Sequence, residues 1–173
     1  MVQAAHQQFP SVPVFLGGHS AGAGLVVNYA NYPHHESVNG YLFVAPDFGP
    51  RSDTMREGNG NFATVCMKAF VAHAITGGLL KGHAVGVRYN YSPEQLNSSI
   101  GLVQYNSVNM SLALNPAKPS QEVSRLDKPF GLWIGEDDEI MDPPKVVAYA
   151  GHASAPAIPC RNCAWAEASA HPQ

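Results

Sequence analysis

Charge is scarce in this chain. Asp, Glu, Lys and Arg make up 13% of its 173 residues, with 13 acids against 10 bases. No stripe of Lys and Arg runs along any segment, so a nucleic-acid partner has no electrostatic support. No apolar run approaches 18 residues, so no transmembrane segment is expected. The first residues, Met-Val-Gln-Ala-Ala-His-Gln-Gln, have neither a basic start nor an apolar centre. They do not form a secretory signal, and a cytoplasmic location is expected. Cysteines number only three. Cys66 stands alone in an apolar stretch and is expected in the core. Cys160 and Cys163 form a C-x-x-C near His152 and His171, but the spacers match no common zinc pattern. Two reduced thiols are expected there, with no metal and no organic cofactor.

What is present suffices for one domain with a sizeable core, since 45% of the residues are hydrophobic. Residues 12–16 are short, continuous and apolar, which predicts a strand buried on both faces of a parallel sheet. They lead into Gly17-Gly18-His19-Ser20-Ala21-Gly22, and a helix is predicted over 21–31, stopped by Pro33. Gly18 to Gly22 is a G-x-S-x-G pattern. Three fixed positions recur by chance in roughly one chain in twenty of this size, so the context matters more than the pentapeptide. A strand before it and a helix after it describe a nucleophile elbow, with the serine hydroxyl pushed out above the sheet edge. Small residues at 18 and 22 are expected to let the helix pass close to the strand. Residues 40–45 predict a second buried strand ended by Pro46, completing a βαβ unit.

Residues 49–127 read differently. They are rich in Gly, Asn, Ser and Pro, with two helical patches. Phe62, Val65, Cys66, Ala69, Phe70, His73 and Ala74 follow a helical period. Ser92-Pro93-Glu94-Gln95 predicts a capping box opening a helix that runs to about Val103. The segment is expected to be a helical insert and not more sheet. Regular α/β pattern returns at 129–134, a third strand, followed by Gly135-Glu136-Asp137-Asp138 and a helix opened by Pro143 and Pro144.

A serine hydroxyl needs a base beside it, and the base needs an orienting acid. In open α/β sheets such groups gather at the carboxyl ends of the strands. Ser20 follows the first strand and Asp138 the third. These motifs together resemble the α/β-hydrolase family, nearest to its monoglyceride-lipase and serine-aminopeptidase-like branch, over residues 10–150. The resemblance implies a partial α/β-hydrolase fold, a mostly parallel sheet with a helical cap insert. Residues 1–48 and 128–173 would form the core and 49–127 the cap. In that branch a strand ends in Gly-Glu-x-Asp, whose aspartate is the triad acid. Asp138 matches it, Asp137 is the register alternative, and Asp47 after the second strand is a reserve. His171, 33 residues beyond Asp138, is the implied base, without the strand expected before it. Ala21 N–H is the implied oxyanion donor, and His19 and Phe48 are expected to contact substrate.

The implied function is a serine hydrolase that cleaves a carboxylic ester or related acyl compound through an acyl-enzyme. Its partner is a small acyl ester. The sequence departs from the family ahead of the elbow, where further strands and a second oxyanion amide belong. This supports a different expectation: a truncated, inactive hydrolase-like protein that self-associates through the unpaired edge of its first strand.

Overall fold

Strand, helix and strand succeed one another within the first 45 residues, and the structure, a computed structural model, folds them as a parallel unit. It describes residues 2–33, 38–58, 62–155 and 157. In chain order the elements are α1 (Val2–Gln8), β1 (Phe15–His19), α2 (Gly22–Ala30), β2 (Gly40–Val44), β3 (Ala63–Val65), α3 (Met67–Ile75), β4 (Val85–Tyr89), α4 (Pro93–Leu96), β5 (Tyr105–Ser107), α5 (Val108–Leu114), α6 (Pro119–Ser124), β6 (Phe130–Trp133) and α7 (Pro143–Ala150). Among the described residues no helix is long and apolar enough to cross a membrane.

β1, β2 and β6 form a parallel sheet in the order β1-β2-β6. His19 stands opposite Val44, and Val44 opposite Trp133, so all three strands end at one rim. Side chains alternate between faces. Leu16, Gly18, Tyr41, Phe43, Phe130 and Leu132 share one face. α2 and α7 cover it with Ala23, Val26, Val27, Val146 and Tyr149. Phe43 lies at the centre, edge-on to Phe48 at 5.7 Å and to Phe130 at 5.8 Å. The opposite face stays open: Phe15 is 45% exposed, Val44 44% and Trp133 39%.

The first strand differs from expectation. It begins three residues later than predicted, at the edge of the sheet, and its odd positions are exposed because the face they share with Val44 is uncovered. Its even positions bond toward β2, with Asn39 N–H donating to the Val14 carbonyl at 2.7 Å and Ser20 N–H to Val44 at 3.0 Å. By alternation the backbone groups of Phe15, Gly17 and His19 face outward, and β1 has no second partner among the described residues. Beyond β6, Ala157 bridges Phe130 in parallel.

The 49–127 segment corrects the purely helical expectation. β3, β4 and β5 build an antiparallel sheet in that order, with Ala63 opposite Tyr89 and Val85 opposite Ser107. The predicted helix over 62–74 starts only at Met67, because residues 63–65 pair with β4. Cys66 N–H donates to the Gly86 carbonyl at 2.7 Å, turning the chain between strand and helix. Cys66 is half-buried and not a core residue. The capping box at Ser92 and Gln95 forms, but its helix ends after one turn, with every residue exposed. A one-turn helix with no face to bury has little to sustain it.

The two sheets meet through α2 and α5. A Cβ on Gly24 would strike the Leu114 carbonyl and stand 3.0 Å from Pro116 Cδ. Asn28 Nδ2 donates to the Ala113 carbonyl at 2.7 Å across the same contact.

Candidate active site

Ser20 sits on the turn between β1 and α2 with φ +50°. A side chain in this left-handed region costs roughly 1–2 kcal/mol, and such strain gathers at functional sites. Three backbone bonds hold the turn. Ser20 N–H donates to Val44, and the Ser20 carbonyl accepts from Ala23 N–H at 2.9 Å and Asp47 N–H at 3.0 Å. The neighbouring strand ends with the same kind of strain, at Ala45 with φ +41°. Ser20 is half-buried, and no hydrogen bond engages its hydroxyl among the described residues.

The glycines flanking Ser20 do not play equal parts. A Cβ on Gly18 would overlap the Gly22 carbonyl and lie 2.6 Å from Ala23 N. α2 can cross β1 this closely only with glycine at 18. A Cβ on Gly22 meets nothing within 4 Å, so the expected steric need at 22 is absent. Ala21 caps α2, and among the described residues its own N–H makes no backbone bond, at the electropositive end of the helix.

Asp138 lies in the turn after β6, on the same rim as Ser20 and two strands away. Strands stand about 4.8 Å apart, so the two strand ends are separated by roughly 10 Å. Asp138 Oδ1 accepts from Ile140 N–H at 2.9 Å and Met141 N–H at 2.8 Å. Its other carboxylate oxygen carries no such bond among the described residues. The alternative Asp137 is exposed and makes no such pair of bonds. Residues 54–56 clamp this turn. Arg56 donates to the carbonyls of Asp138 and Glu136, the latter at 3.0 Å, and Arg56 N–H donates to Ile140 at 2.9 Å. Sequence offered no signal for Arg56, a lone base in a polar loop.

Asp47 is tied to Ser20 through its backbone, and its Oδ1 accepts from Gly49 N–H at 2.7 Å. Burial pushes its carboxyl above the usual carboxylate range, although the Gly49 bond works against this. Phe48 corrects an expectation. It is fully buried between Phe43 and Tyr149 and offers no surface to a substrate. His19 is exposed and shares the open face with Val44. His152 follows α7 and packs edge-on against Tyr149 at 6.2 Å. His171, Cys160 and Cys163 lie outside the described residues. Among the described residues no cluster of three or more His, Cys, Asp or Glu is arranged to hold a metal. A cavity of ≈ 930 Å³ between α2 and the second sheet has none of Ser20, Ala21 or Asp138 in its wall.

A serine on a strained strand-to-helix turn, with a carboxylate two strands away on the same rim of a parallel sheet, defines an α/β-hydrolase fold. Residues 1–161 match the family model described as serine aminopeptidase, S33, and the chain belongs to that family. Solved structures that share the fold include two lipases. One is the monoacylglycerol lipase of Paleococcus ferrophilus, at 18% identity and TM-score 0.51, matched over 89% of this chain and 62% of that one. The other is a soluble variant of the monoglyceride lipase of Saccharomyces cerevisiae, solved with a substrate analogue. It matches at 18% identity and TM-score 0.55, over 88% of this chain and 53% of that one. The chain thus spans 62% and 53% of the length of these two relatives. No curated protein sequence matches it.

Proposed function

We propose that the chain carries the nucleophile and the acid of a serine hydrolase acting on carboxylic esters. The carrying observation is the left-handed backbone of Ser20 between a parallel strand and a helix. In this reading the Ser20 turn is a nucleophile elbow. Ser20 Oγ attacks the ester carbonyl. His171 takes the hydroxyl proton, returns it to the departing alcohol and then activates the water that releases the acid. Asp138 holds the imidazole through its free oxygen, while two amides fix the other. Ala21 N–H stabilises the oxyanion. One such donor is worth about 3–4 kcal/mol of transition-state stabilisation. Residues 49–127 act as a cap inserted between the halves 1–48 and 128–173. The substrate is a small acyl ester, with the lipase relatives favouring a lipid-like one. Hydrolysis of p-nitrophenyl esters tests this. Turnover should vanish in Ser20→Ala, and turnover unchanged in that variant would refute the assignment.

Among the described residues the outer edge of β1 is unpaired, and this favours a second reading alongside the first. The outward backbone groups of Phe15, Gly17 and His19 carry no charged neighbour on the strand. Such an edge invites pairing with a second copy. Light scattering should then show a dimer or larger species, and a stable monomer would refute it.

A further inference from the structure

We propose that the cavity between α2, the β3–α3 segment and α5 binds a single-chain amphiphile with a carboxylate head. It goes beyond the Ser20 chemistry and does not depend on it. The cavity measures ≈ 930 Å³, at the upper end of the range for small-molecule sites. Leu25 and Asn28 stand on successive turns of α2 and Tyr32 lies just past its end, so the groove runs for about 10 Å along that segment. The Gly24–Leu114 contact and the Asn28–Ala113 hydrogen bond hold two of its walls, α2 and α5, together.

The walls are unusual for a protein surface. Leu25, Tyr32, Val65, Met67 and Leu112 all line the groove, and each is between 47% and 64% exposed. Large apolar side chains gathered this way mark a binding surface. Among the described residues Arg51 is the only charged one in the lining. Nη1 of its guanidinium donates to the Ala117 carbonyl at 2.8 Å, which orients the planar fork and leaves its other N–H groups for a ligand. The groove also contains Ser111, 4% exposed, whose hydroxyl has no hydrogen-bond partner among the described residues. An apolar trough with one oriented guanidinium matches an alkyl chain ending in a carboxylate, which the fork accepts through paired hydrogen bonds. A neutral chain would leave Arg51 unused, and a cation would be repelled.

Titration of the full chain with cis-parinaric acid, a fluorescent long-chain carboxylate, tests the proposal. Saturable enhancement is expected. Arg51→Glu should weaken it about tenfold by replacing attraction with repulsion. Met67→Glu should weaken it comparably by placing a charge in the apolar wall. Both positions are exposed, so neither variant removes core packing, and thermal melting by circular dichroism verifies this. Ser20→Ala should bind the probe like the parent chain, which keeps this test separate from that of the hydrolase reading. Absence of saturable binding overturns the proposal. So does binding that survives both groove substitutions, binding lost in Ser20→Ala, or equal affinity for the methyl ester of the probe.

Discussion

The parallel sheet and the antiparallel sheet of this molecule do different work with similar lengths of strand. In the first, β2 and β6 bury Tyr41, Phe43 and Phe130 under two helices, and nearly every core residue belongs to this unit. In the second, α3 and α4 bury no residue, and Leu79, Ile75 and Ile100 are 87%, 79% and 69% exposed. Burial makes the parallel unit rigid enough to hold strained turns at Ser20 and Ala45. The antiparallel unit supplies exposed apolar surface, as a cap or a binding wall does. The strained turns and the exposed apolar surface thus lie in separate parts of one chain.

The sharpest way to break this comparison is to truncate one large side chain in each region. Phe43→Ala removes the aromatic at the centre of the parallel core and should cost about 3–5 kcal/mol in urea unfolding. Leu79→Ala should stay within about 0.5 kcal/mol. Equal costs would show that the exposed region is as tightly packed as the core.

A second contrast lies within the Ser20 turn. Gly18→Ala forces a Cβ against the backbone of α2 and should cost about 2–3 kcal/mol. Gly22→Ala has open space and enters a helix, so it should gain up to about 1 kcal/mol. Matched effects would mean that α2 does not cross β1 as described.

A smaller effect is expected from Arg56→Ala. It releases the carbonyls of Glu136 and Asp138 and should cost about 1 kcal/mol, because the side chain is exposed. Its more telling readout is a slower reaction of Ser20 with an active-site probe. Loss of stability alone, with Ser20 reactivity unchanged, would detach the acid turn from the nucleophile.

The smallest effect concerns pH. Burial raises the carboxyl of Asp47 above its ordinary 3.8. A group with a raised folded-state value supports folding fully below its unfolded value and loses that support as pH rises through the raised one. Asp47→Asn should therefore flatten the decline in melting temperature that this group causes above pH 3.8. An identical profile in both proteins would show that Asp47 is not desolvated.

The same division explains what could be read from residues alone. β2, α2, α7 and the turn at Asp138 were legible, because continuous apolar runs and Pro or Gly stops mark buried α/β units. β1 was shifted by three residues: Gly17 and Gly18 carry no strand signature, yet β2 pairs them into the ladder. β3 and β5 escaped notice because three-residue strands with exposed faces have no alternation to detect. Phe48 looked like a site residue from its place after β2. Only the packing of Phe43 and Tyr149 around it reveals a core side chain. Arg56 acts through backbone carbonyls, and such a role leaves no motif.

The most direct measurement is covalent labelling. The folded chain is treated with a fluorophosphonate, digested, and the modified peptide identified by mass spectrometry beside Ser20→Ala. Attachment at Ser20, absent from the variant, is the expected result. A folded chain that stays unlabelled, or is labelled equally without the Ser20 hydroxyl, contradicts the assignment of that strained turn as the reacting centre.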